Sequence, residues 1–185
     1  MQTPMRTDRR LSVGQTLLHG VIGGIVAGIV FILFEMLIAG LVGGNPFRPL
    51  LLISTIVLGT GAMTGAYAAG TAIAWGLVTH AALSIIFGVV FVILLDMSNQ
   101  VRVGTWQLLF YGSIYGFALW LFNFLVIALS ALPQFTQINQ LWSGFIAHTF
   151  FYGTVIGAYI AGAIPDVMHH ESESQSQQGI RSHQH

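Results

Sequence analysis

The stretch LLHGVIGGIVAGIVFILFEMLIAGLV, residues 17–42, decides the fold. It runs for 26 residues with one charge, Glu35. At about 1.5 Å of rise per residue a helix of this length crosses roughly 30 Å of bilayer hydrocarbon with room for tilt. Arg6, Asp8, Arg9 and Arg10 precede it, and Gly43-Gly44-Asn45-Pro46 breaks it. A signal peptide would have a shorter apolar run and a small-residue exit, so the reading is a retained first transmembrane helix.

The rest of the 185 residues agrees. Hydrophobic residues make up 55% and charged residues 6%, with a mean hydropathy of +0.78. A soluble domain carries about a quarter charged residues, so this composition excludes one. The 6 basic residues, all Arg, are balanced by 6 acidic ones. That balance leaves no basic surface for a nucleic acid. With 0 Cys there are no disulfides, no thiolate metal sites and no covalently attached c-type haem.

Further spans are expected at residues 72–95, at 109–132 with 104–107 extending that helix, and at 141–164, stopped by Pro165-Asp166. Residues 49–70 are apolar but rich in Gly, Ser and Thr, and they fit either a fifth crossing or a non-crossing helix. Arginine placement arbitrates. With four crossings Arg6, Arg9, Arg10, Arg102 and Arg181 share one side and Arg48 stands alone on the other; with five the split is even. The positive-inside rule favours four, with both termini cytoplasmic. The predicted fold is therefore all-α: an integral membrane bundle of four transmembrane helices plus a re-entrant or interfacial external helix beginning at Pro49. Residues 1–16 form a cytoplasmic N-terminal segment, 17–165 the membrane domain, and 166–185 a disordered polar tail. Trp106 and Trp142, near span starts, fit an interfacial aromatic belt. Small residues recur every fourth position at Gly20, Gly24 and Gly28, at Gly112 and Gly116, and at Gly153, Gly157 and Ala161. Such stripes let helices approach closely, within a compact bundle or between the subunits of a dimer.

Against this apolar background four side chains need an explanation: Glu35, His80, Asn123 and His148. Counted along their helices at about 1.5 Å per residue, all four lie in the outer half of the membrane, within roughly 4 Å of a common height. Each shares a face with small residues, as His80 does with Gly76, Ser84 and Gly88, and His148 with Gly144 and Tyr152. The polar cluster is thus read as Glu35, His80, Ser84, Asn123 and His148. Three readings stand. The cluster can be a hydrogen-bonded network that sets helix register. It can hold a cofactor: His80 and His148, each with a glycine one turn earlier, as ligands of a haem or pigment, or Glu35, His80 and His148 as a two-histidine, one-carboxylate metal set. It can relay protons or pass a small solute through Glu35 and the two histidines. In the tail, His169, His170, His183 and His185 read as a solvated tract with metal binding as the sharper alternative.

No phosphate-cradling loop, H-E-x-x-H or G-x-S-x-G motif occurs. Val78-Thr79-His80, Ser84-Ile85 and Phe87, then Trp106-Gln107, Pro133, Trp142 and His148 resemble the YagU-type bacterial inner-membrane proteins over residues 76–151. The resemblance implies a small multi-pass protein of the bacterial cytoplasmic membrane, associated with acid tolerance, and it carries no catalytic residues across. The expected function is that of an accessory subunit or oligomeric membrane protein without a catalytic domain of its own. Its partners would be the lipid bilayer and either further copies of itself or a larger membrane complex.

Overall fold

The computed structural model describes residues 10–136 and 138–164. Helix α1 is Val13–Gly43, α2 Arg48–Leu58, α3 the single turn Gly61–Thr64, and α4 Ala69–Met97. Helix α5, Thr105–Leu121, continues as a π-helical segment, Phe122–Ala128. After a 3-10 turn at Pro133–Phe135 the chain forms α6 (Ile138–Ile146), a second π-helical segment (Ala147–Thr154) and α7 (Val155–Ala163). Among the described residues there is no strand, and the chain is an all-α bundle. The polar tail lies outside the described residues.

Four helical stretches are long and apolar enough to cross a membrane: Val13–Gly43, Ala69–Met97, Thr105–Ala128 and Leu141–Ala163. They are the first to fourth spans below. The 11 residues of α2 reach only about 16 Å at 1.5 Å each, too short to cross. This is the anatomy of a small multi-pass membrane protein. The outward surface is apolar, with Ile29, Leu33, Ile86 and Phe110 each more than half exposed. Trp106 and Trp142 are also exposed, near the starts of the third and fourth spans.

The first helix starts four residues before the expected Leu17. Ser12 and Gln15 cap each other reciprocally, Gln15 N donating to Ser12 Oγ at 3.2 Å and Ser12 N to Gln15 Oε1 at 3.0 Å. That S-x-x-Q pattern satisfies two amide groups which would otherwise lack partners. Gly104 N donates to Gln107 Oε1 at 2.9 Å in the same manner at the start of α5. The N-terminal segment is pinned to the far end of the second span by Leu11 N donating to Asp96 Oδ1 at 2.8 Å.

The glycine stripes are used inside the chain. Gly24 lies so close to the second span that a Cβ there would strike Ser84 O and stand 3.0 Å from Ile85 Cα. Gly88 faces back onto Gly20 and Gly24. Gly112 and Gly116 interlock with Gly153, Gly157 and the carbonyl of His148. Gly76 meets the backbone of Leu50, so α2 seats directly on the second span. The first span packs on the second and the fourth, and the third on the fourth. The second and third spans are joined by side chains: Tyr115 donates to Phe87 O at 2.7 Å, and its ring lies 5.0 Å from that of Phe91. These small-residue faces are thus used in packing within one chain.

The two ends of the bundle differ. At the end holding Ser12, Asp96 and Ile164 the core is solid, with Phe91, Val92, Leu95, Leu108, Ile156 and Ile160 at most 4% exposed. At the other end the spans part around a cavity.

Candidate functional site

The cavity has a volume of about 740 Å³. Every span contributes to its wall. The first supplies Phe31, Phe34 and Glu35, the second His80, Leu83, Ser84 and Phe87, the third Leu119, Trp120 and Asn123, and the fourth Ser143, Gly144, His148 and Tyr152. Helix α2 supplies Leu52, Ile53 and Ile56. Gln134 Nε2 donates to Thr55 Oγ1 at 2.8 Å and ties α2 to the turn between the third and fourth spans. Glu35, His80, Ser84, Asn123 and His148, read from the sequence as one cluster, all line this one cavity.

Within it they form separate hydrogen-bonded groups. His80 Nε2 donates to the carbonyl of Gly28 at 2.9 Å, with Ser84 Oγ at 3.4 Å. Gly28 permits this, because a Cβ there would stand 2.5 Å from Ser84 Oγ. His148 Nδ1 donates to Gly144 O at 2.7 Å, and Asn123 Nδ2 lies 3.1 Å from His148 Nε2. Because a carbonyl can only accept, these bonds place a proton on His80 Nε2 and on His148 Nδ1, and His148 Nε2 faces the Asn123 amide nitrogen. Tyr152 donates its hydroxyl to Ser84 O at 2.6 Å and joins the fourth span to the second. Glu35 has one partner, Ser143, whose Oγ donates to Oε2 at 3.3 Å. Its other oxygen, Oε1, is buried without a hydrogen bond.

The cofactor readings meet specific obstacles. Among the described residues no group of three or more His, Asp or Glu side chains is close enough to hold a metal ion, so Glu35, His80 and His148 are not assembled as a ligand set. The phenyl ring of Phe31 packs on both histidines, 5.4 Å from His80 in a stacked arrangement and 4.8 Å from His148 edge-on. Both nitrogens of His148 are engaged in hydrogen bonds, and Asn123 stands where a haem iron or pigment metal would approach Nε2. The space beside Gly76, one turn before His80, where a flat macrocycle would lie, is filled by the backbone of α2. No hydrogen bond joins Glu35 to either histidine among the described residues, so a continuous Glu–His–His relay is not drawn either.

Three participants were not singled out from the sequence. Ser143 and Phe31 carry no signal, because a serine or a phenylalanine in an apolar span is ordinary. The third is the pair of π-helical segments themselves. Asn123 lies in one and His148 in the other, and the wider i to i+5 turn redirects both side chains.

No family model matches the sequence, and no curated protein or solved structure is similar to it. What the site does has to be argued from the site.

Proposed function

We propose that this chain is a non-enzymatic membrane protein that holds a small hydrophobic molecule between its four spans and works as an accessory subunit or an oligomer. The observation that carries the reading is the cavity of about 740 Å³, apolar over most of its wall and polar at the level of Glu35, His80, Asn123 and His148. A volume of this size suits a drug-sized or lipid-like ligand, and a few placed polar groups in an apolar wall are the usual means of orienting one. The absence of hydrolase and nucleotide motifs from the sequence points the same way.

The proposal places the protein in the bacterial cytoplasmic membrane with both termini in the cytoplasm, as the arginine distribution favours. It keeps the resemblance of residues 76–151 to the YagU-type proteins as part of the reading. Native mass spectrometry after extraction in mild detergent is the test. The expected result is an assembly heavier than one chain, or one carrying other subunits, with a small hydrophobic molecule retained. A strictly monomeric protein that turns over a substrate unaided would overturn the proposal.

A further inference from the structure

We infer that the cavity takes a lipophilic organic cation, a quaternary or protonated amine on an apolar body, with its charge placed at Glu35. The inference rests on the hydrophobic-ligand reading above and adds the sign and position of the ligand's charge.

The first argument is a count of what the wall has left to offer. Four donors on it are already used within the protein: His80 Nε2–H on Gly28 O, His148 Nδ1–H on Gly144 O, Tyr152 O–H on Ser84 O, and Ser143 O–H on Glu35. Among the described residues that line the cavity, the buried polar atom left without a partner is an acceptor. Oε1 of Glu35 is buried with no partner, and a buried polar atom in that state costs free energy until something pairs with it. A cation against the carboxyl favours its ionised form and offsets the cost of that acceptor, a protonated amine by hydrogen bonding and a quaternary cation by charge alone.

The second argument is the aromatic wall. Phe31, Phe34, Trp120, Phe124 and Trp142 line the same cavity as Glu35, and among them Phe34 is stacked on Phe151 and Trp120 on Phe117 and Phe124. Phe31 lies one helical turn from Glu35, and Phe34 is its neighbour in sequence. Ring faces attract cations, and more strongly where water is excluded. A carboxylate among aromatic faces therefore favours a cation over an isosteric anion. Arg48 also lines the cavity, at the start of α2, and it leaves Oε1 of Glu35 without a hydrogen bond. Glu35 lies seven residues back from Val42 along α1, about 10 Å, and one turn after Phe31, and all three line the cavity, so its carboxyl sits part-way down the wall.

Equilibrium dialysis of the detergent-purified full chain tests this, with tetraphenylphosphonium as the probe. Tetraphenylborate has the same shape and opposite charge, triphenylphosphine oxide is a neutral aryl comparator, and protein-free micelles give the blank. The expected result is tetraphenylphosphonium binding at least tenfold tighter than tetraphenylborate. Glu35→Gln should abolish that preference, and Glu35→Asp should keep most of it. Equal binding of all three probes, or an unchanged preference in Glu35→Gln, overturns the cation inference and leaves the hydrophobic-ligand reading standing. No binding of any probe overturns both. Should Glu35→Gln fail to elute as a folded species, Trp142→Leu replaces it, and an unchanged phosphonium-over-borate ratio there counts against the inference.

Discussion

Asn123 and His148 show how much a single residue reveals in an apolar chain. An amide and an imidazole inside spans stand out, because each must find a partner away from lipid, and these two find each other at 3.1 Å. A double-mutant cycle on Asn123→Leu and His148→Leu should return a coupling of about 0.6 kcal/mol, the average for such bonds in a membrane. Reversible unfolding in mixed micelles measures it, and a coupling indistinguishable from zero would show that the pair is not bonded. The sequence made Glu35, His80, Asn123 and His148 legible for the same reason, and their common cavity follows from their common height. Their individual partners were not legible. His80 bonds to a backbone carbonyl of Gly28, and a main-chain acceptor looks the same at every position. Glu35 bonds to Ser143, and serine is too frequent in membrane helices to mark itself.

At the scale of the element, glycine is the working residue. A methyl group added at Gly24 meets Ser84 and Ile85 backbone, whereas one added at Gly162 meets nothing within 4 Å. Gly24→Ala should therefore destabilise the bundle by about 1–3 kcal/mol, the cost of forcing extra volume into a close contact. Gly162→Ala should be neutral or slightly stabilising, since alanine favours the helix. Thermal denaturation of the two variants in one detergent decides the matter, and equal midpoints would contradict the packing described. Ser12→Ala should cost about 1 kcal/mol by removing the N-terminal cap of α1. The four spans were readable because hydropathy and arginine placement are summed over many residues. The caps at Ser12 and Gly104 also had a signature, Gln three positions later, which a search for apolar runs passes over. The π-helical segments had none. Phe122–Ala128 contains no proline or glycine to announce a change of pitch, and a face counted along a regular α-helix does not carry through it to Asn123.

For the whole molecule, the alternation of four spans puts Ser98 at the end that holds Leu11 and Asp96, and Thr64 at the end that holds α2 and Gln134. The chain has 0 Cys, so single cysteines at these two positions give a clean accessibility test. In intact cells the Thr64→Cys variant should react with an impermeant thiol reagent and the Ser98→Cys variant should not; the opposite pattern would reverse the orientation. The height of the polar groups could be read from the topology, but the asymmetry between a packed end and a hollow end could not, because it depends on how closely each pair of glycines meets. That asymmetry has an electrical consequence. Beneath the hollow, Phe91, Val92, Leu108, Ile156 and Ile160 are at most 2% exposed and leave no file of water from one face to the other. Ions have nothing to hop along, and a single copy should behave as an insulator. Reconstituted in a planar bilayer under a steady voltage, it should carry no current above the leak of the lipid alone. The hollow is a vessel with a floor.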